Sequence, residues 1–241
     1  MPNPHYPYFC SMKTLALIGG TSWVSTVDYY RYINEGINQR LGGIYYSRCI
    51  LHSFSYGHIK DLIDGGNQQE VLRQFTDACL NMKQAGAEGI VLCANTMHLF
   101  APELETATGM PVIHVATATA KAITAQGMKK VALLGTKPTM LMDFYHNKLA
   151  EQGIIALIPD EADRDFIHDS IFTELGKGIF TPATKQRYID IIEKMIAAGA
   201  EGIILGCTEI PMLLSQSDVR VPVFDTTRIH AAAAVAFSLG E

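Results

Sequence analysis

Two segments of this 241-residue chain carry side chains able to move a proton. Gly206-Cys207-Thr208-Glu209-Ile210 sets a thiol among small polar residues and beside a carboxylate. Cys93-Ala94-Asn95-Thr96-Met97-His98 brings an amide, a hydroxyl and an imidazole in quick succession after another thiol. A thiol becomes a competent base once it is a thiolate, and the dipole and free N–H groups at a helix start favour that form. Cys207, between a strand end and a following helix, is expected to be reactive on these grounds; the other reading of such a cysteine is a small buried hydrophobe. His98 could tune a neighbouring thiol or cap a helix, and Glu209 could steer protonation or complement a helix N-terminus.

Other chemistries find little support. The five cysteines, Cys10, Cys49, Cys79, Cys93 and Cys207, form no CxxC pair, which argues against a disulfide framework or a structural zinc and fits reduced thiols in a cytoplasm. The histidines lack HExxH-like spacing, so no metal is expected. Gly19-Gly20 belongs to neither a dinucleotide-binding nor a P-loop pattern. Lys+Arg 19 against Asp+Glu 24 gives a net charge of −5 without a basic cluster, so nucleic acid is not an expected partner. No run reaches the ~18 apolar residues of a membrane span.

Something must place these groups, and the apolar pattern says what. Short apolar runs at Thr14–Ile18, Ser47–Ser53, Gly89–Cys93, Val112–Val115, Val131–Leu134, Ile154–Ile158, Gly202–Leu205 and Val221–Phe224 read as buried parallel strands. Between them, Thr26–Arg40, Gln68–Ala85, Ala116–Gln126, Thr139–Gln152, Asp163–Gly176 and Ala183–Ala198 have helical periodicity, giving an α/β fold. The chain also repeats itself: Met82-Lys83-Gln84-Ala85-Gly86-Ala87-Glu88-Gly89-Ile90 aligns without gaps on Met195-Ile196-Ala197-Ala198-Gly199-Ala200-Glu201-Gly202-Ile203, and Lys13–Gly19 echoes Lys129–Gly135. We expect two similar open parallel-sheet lobes, 13–117 with 225–241 packing back onto it and 118–224, with the active site in the cleft between them at the strands' carboxyl ends. Residues 1–12 read as a disordered N-terminal extension, without the features of a signal peptide.

Gly19-Gly20-Thr21-Ser22-Trp23, Asn95-Thr96-Met97-His98 and Gly206-Cys207-Thr208-Glu209-Ile210, in this order, resemble the aspartate/glutamate racemase family over nearly the whole of Met12–Ser238. The resemblance implies a two-lobed, cytoplasmic, homodimeric enzyme that needs no pyridoxal cofactor. In that family two cysteines face opposite sides of the substrate α-carbon, one removing the proton and the other returning it. It also implies that an arginine and a lysine hold the substrate carboxylates, which carries over to Arg48 and Lys177.

One departure bears on the mechanism. Where the family's first cysteine precedes Asn-Thr, this chain has Ala94, and Cys93 stands one residue early. Side chains alternate across a strand, so Cys93 points away from the Ala94 side unless a bulge re-aims it. Three routes stay open: Cys93 through a bulge, a water held by Asn95 or Thr96, or Cys207 alone. Stabilisation of the carbanion would come from strand-end groups, with Thr21, Ser22, Asn95, Thr96, Thr136, Thr139 and Thr208 as candidates, each equally readable as a helix cap. The expected activity is racemisation of aspartate or glutamate, with Cys207 as one acid/base. The alternatives are single-cysteine chemistry like that of arylmalonate decarboxylases, or an amino-acid-binding protein with impaired catalysis.

Overall fold

The structure, a computed structural model, describes residues 12–241. The extension expected over 1–12 lies outside the described residues except for Met12, which is packed in a core. The chain forms two units, one made of the chain up to His114 with His230–Glu241, the other of Val115–Ile229.

The first unit runs β1 (Leu15–Gly19), α1 (Trp23–Leu41), β2 (Cys49–Ser53), α2 (Tyr56–Asp64), α3 (Gln68–Gln84), β3 (Gly89–Leu92), a 3-10 turn (Thr96–Phe100) and α4 (Ala101–Thr108). Its three strands are parallel in the order β2-β1-β3. Every residue of β1 is buried, as a central strand covered on both faces requires. Ala16, Ile18, Ile90 and Leu92 pack on one face against Val71, Phe75, Ala78, Cys79 and Met82 of α3, whose three- and four-residue spacing lines one side of a helix. Leu15, Leu17, Val91 and Cys93 pack on the other face with Tyr29, Ile33 and Ile37 of α1.

The second unit follows the same plan with one more strand: α5 (Val115–Ala125), β4 (Lys130–Gly135), α6 (Lys137–Leu141), α7 (Asp143–Ala150), β5 (Ile155–Leu157), α8 (Glu161–Thr173), a 3-10 turn (Leu175–Lys177), α9 (Pro182–Ala197), β6 (Gly202–Gly206), α10 (Ile210–Leu213) and β7 (Val223–Asp225). The strands are parallel in the order β5-β4-β6-β7. Helix α11 (Thr226–Leu239) begins in this unit and carries the chain back into the first.

Two expected elements differ. Val112–Val115 is not a strand but one bridge between Val112 and Ile90, because Pro111 lacks an N–H and α5 already begins at Val115. The helix expected over Thr139–Gln152 is two helices, separated by the extended backbone of Met142.

The repeated Ala-Gly-Ala-Glu-Gly is a helix-to-strand joint, and each residue has the same task in both units. Gly86 and Gly199 take positive φ, and the next amides, Ala87 and Ala200, donate back to the carbonyls of Met82 and Met195, which closes the preceding helix. The amide of Glu88 donates to the Thr14 carbonyl at 2.8 Å while its carboxylate accepts from the Thr14 amide at 3.1 Å. Glu201 does the same, accepting from the amides of Lys129 at 2.7 Å and Lys130 at 3.0 Å, which holds its carboxyl below the usual range. The joint's second glycine lies under an aromatic ring: a Cβ on Gly89 would stand 2.4 Å from Phe237, and one on Gly202 2.8 Å from Phe224. Overpacking of this kind costs about 1–3 kcal/mol, so Gly89→Ala should lower the unfolding free energy by roughly that amount. Adding Phe237→Leu should recover part of the loss in urea denaturation; two additive losses would disprove the contact.

Candidate active site

In the second unit, β6 hands over to Cys207 at its carboxyl end. Gly135 and Gly206 are paired in register, and a Cβ on Gly135 would come 2.8 Å from the Gly206 carbonyl, so small residues let the ends of β4 and β6 close together. The Cys207 thiol donates to Oε2 of Glu209 at 2.9 Å, and the Thr208 hydroxyl donates to the same oxygen at 2.8 Å. Cys207 is 8% exposed and Glu209 9%. Burial first, and the Glu209 carboxylate second, push the Cys207 thiol well above its ordinary range. This corrects the expected thiolate. Glu209 occupies the N-cap position of the four-residue α10, and its negative charge disfavours a second negative charge on the neighbouring sulfur. The resting group is therefore an S–H acid with a carboxylate in contact to receive its proton.

Thr136 follows β4 and caps α6; its hydroxyl lies 3.4 Å from the Thr139 amide and 3.1 Å from the Thr139 hydroxyl. Thr139 is fully buried, with its methyl group in reach of any Cβ at Gly135 or Gly206, so it braces the strand ends from inside the core rather than presenting its hydroxyl to a ligand. Lys177 is exposed in its 3-10 turn, ahead of left-handed Gly178, and its ammonium has no ion pair among the described residues.

In the first unit, the turns after β1 and β3 meet at the same sheet edge. The Cys93 amide donates to the Ile18 carbonyl at 2.9 Å, and the Ser25 hydroxyl reaches the Cys93 carbonyl at 3.0 Å. Gly20 has φ +85°, and a Cβ there would lie 2.0 Å from the Phe54 carbonyl, so no larger residue fits this turn. Its amide donates to the Thr26 hydroxyl at 2.9 Å, which in turn donates to the Ser22 carbonyl at 2.8 Å. Ser22 caps α1, accepting from the Ser25 amide. Thr21 is buried, and its hydroxyl makes no hydrogen bond among the described residues. Asn95 is buried and Thr96 half-buried where the 3-10 turn begins. The roles of Ser25, Thr26 and Phe54 escaped the sequence reading; Ser25, three residues after the cap, was the signal that could have been used.

Two expected site residues fall elsewhere. Cys93 is 1% exposed in the core against α1, with its thiol 3.8 Å from the Val91 carbonyl, and burial raises its pKa. Ala94 packs on the opposite face with the α3 cluster. The strand alternation holds, no bulge re-aims the thiol, and Cys93 is structural. Arg48 precedes β2 at the amino edge of the sheet, where its carbonyl accepts from the Leu15 amide and its guanidinium donates to the Met12 carbonyl at 3.3 Å. At ~3.3 Å per residue the five residues from Arg48 to Ser53, roughly 16 Å, separate it from the edge that carries Thr21 and Ala94, so it cannot hold a carboxylate there. Among the described residues no group of three or more His, Cys, Asp or Glu side chains could hold a metal, and no helix is long and apolar enough to cross a membrane.

The charge of Glu209 holds the Cys207 proton on sulfur. Glu209→Gln removes that charge and should lower the thiol pKa, so alkylation of Cys207 by iodoacetamide at neutral pH should speed up by roughly tenfold for each pKa unit gained. Peptide-resolved mass spectrometry reads this rate; an unchanged or slower rate would show that Glu209 does not govern the thiol.

The fold and the sequence have counterparts among known proteins. Residues 18–234 match the Asp/Glu/Hydantoin racemase family. A crystal structure of a candidate Asp/Glu racemase from Yersinia pestis is 44% identical, with a TM-score of 0.90 over 95% of this chain and 100% of that one. An aspartate racemase homologue from Pyrococcus horikoshii OT3 is 32% identical, with a TM-score of 0.82 over 94% and 99% of the two chains. The broad specificity amino-acid racemase RacX of Bacillus subtilis (strain 168) is 23% identical over 169 residues, 70% of this chain and 73% of RacX. With nearly all of its length matched, the chain belongs to the Asp/Glu/Hydantoin racemase family.

Proposed function

We propose that this protein racemises a small acidic amino acid, aspartate or glutamate, without a cofactor, and that Cys207 is the acid/base on one face of the α-carbon. The observation that carries the reading is the thiol-to-carboxylate hydrogen bond from Cys207 to Glu209 at 2.9 Å. Transfer of the thiol proton to Glu209 makes the thiolate. The thiolate then takes the α-hydrogen, leaving a neutral thiol and a carbanion conjugated with the substrate carboxylate. In the reverse sense the neutral thiol, beside a Glu209 that then carries a proton, delivers its hydrogen to the carbanion, and the Glu209 proton passes back to the sulfur, which restores the resting thiol–carboxylate pair. Each tenfold in rate needs about 1.4 kcal/mol of stabilisation of that carbanion. The candidate donors to it are the hydroxyls of Thr21, Ser22 and Thr96 and the side-chain amide of Asn95 in the first unit, and the hydroxyls of Thr136 and Thr208 in the second. Lys177 is the proposed anchor for a substrate carboxylate, its ammonium being solvent-exposed and without an ion pair among the described residues. A homodimer in the cytoplasm completes the reading through the family resemblance.

Ala94 stands at the position of the family's first cysteine, which favours a second reading in which one thiol serves one face only, as in single-cysteine decarboxylases. Incubation of each enantiomer of aspartate and glutamate in D₂O separates the two. Deuterium gain with inversion supports two working faces, and deuterium gain with retention supports one. No exchange despite binding overturns the enzymatic reading. Cys207→Ser should reduce exchange by at least about 10³-fold, because a hydroxyl is a far weaker acid than a thiol. Ala94→Cys should raise the rate of inversion by about tenfold or more, read by chiral chromatography.

A further inference from the structure

The turn that follows β3 is held by an imidazole whose protonation pattern can be read from its partners. His98 is fully buried, and its Nδ1 lies 3.1 Å from the Ala94 carbonyl and 3.2 Å from the Asn95 carbonyl. Carbonyl oxygens only accept, so Nδ1 carries the hydrogen and Nε2 is the bare nitrogen. Nε2 is buried and makes no hydrogen bond among the described residues. Two further rings enclose it, His114 at 4.9 Å and His230 at 5.1 Å between centroids. The same logic applies to His230, whose Nε2 bonds the Ile113 carbonyl and therefore carries the hydrogen. Its Nδ1 accepts from the Tyr29 hydroxyl at 2.8 Å. A buried relay thus runs from Tyr29 on α1 through His230 on α11 to Ile113, and His98 packs on it with one hydrogen left to spend, on the turn at Ala94.

We propose that His98 is a positioning residue for the first unit's reacting turn: its Nδ1–H clamps the carbonyls of Ala94 and Asn95 and so aims the backbone and side chains of Ala94, Asn95 and Thr96. The ring is neutral at ordinary pH because burial takes its pKa down to about 4, which leaves it one hydrogen and one lone pair. Two acceptors share that single hydrogen, so the turn is fixed at two consecutive peptide units. A side chain present only to fill space would make no such demand on its donor atom.

This inference rests on the racemase reading for its effect on rate, and on the turn alone for its effect on structure, so its test has separate arms. Asn at 98 places an amide N–H near the Nδ1 position, while Gln places it one carbon further away. His98→Gln should lower kcat for α-deuterium exchange by about tenfold or more with KM within about threefold, and should speed amide hydrogen exchange across 93–98. His98→Asn should return both to within about threefold of the unsubstituted protein. Equal impairment of the two variants, or unchanged amide protection of 93–98 in both, would overturn the proposal. If the unsubstituted protein shows no α-deuterium exchange, the racemase reading fails and amide exchange alone decides this one. Should the variants not fold, ring-nitrogen NMR of the unsubstituted protein decides: His98 must show a protonated Nδ1 and a bare Nε2 throughout pH 6 to 8, and the opposite tautomer, or titration in that range, rules the clamp out.

Discussion

A strand in a parallel sheet offers two faces and one carboxyl edge, and that constraint governs every residue of interest in this protein. At the end of β3, alternation sends Cys93 into the core against α1 and Ala94 to the other face, one residue apart and chemically unrelated. Strand direction does the same along the other axis. Arg48 and Ser53 bracket one strand, yet only the Ser53 end lies at the edge where Thr21 and Ala94 stand. A residue of the right type in the wrong register or at the wrong end has no access to chemistry.

The second unit shows how burial and hydrogen bonding can oppose a helix terminus. A free thiol at a helix start is expected to ionise easily, but here a carboxylate fills the N-cap position and accepts the S–H. Desolvation disfavours the thiolate, and the adjacent negative charge disfavours it further. The outcome is a pair that holds one proton on sulfur with an acceptor carboxylate in contact. The small residues around it have a steric reason: Gly135 and Gly206 let two backbones approach where side chains would keep them apart.

Helix-to-strand joints account for the repeat without reference to catalysis. Glu88 and Glu201, the charged residues of the repeated motif, each neutralise backbone amides at the start of the neighbouring central strand. The glycines close a helix and admit an aromatic ring. Repetition of a motif within one chain here reflects a shared joint, and the proposed site positions lie beyond it, at the far end of each strand, where the two halves differ as Ala94 and Cys207.

Much of this was legible in the residues. Alternating apolar runs and amphipathic stretches gave the parallel α/β architecture, because burial on both faces leaves a continuous hydrophobic strand. Gap-free self-similarity disclosed the two related units, and alternation alone placed Cys93 away from Ala94. The sequence did not reveal that Pro111 and an early helix reduce a strand to one bridge, nor that Met142 divides a helix. It suggested a reactive thiolate where the fold keeps a thiol, since the pKa depends on how much water and which charges surround the sulfur. It suggested Arg48 as an anchor because composition carries no record of which sheet edge a residue meets. The kinds of element and the order of the chemical groups are local properties of the chain, and local residue patterns were enough to read them. The protonation of Cys207, the burial of Thr139 and the imidazole rings around His98 came from the folded arrangement, because each depends on how completely distant elements exclude water from the group.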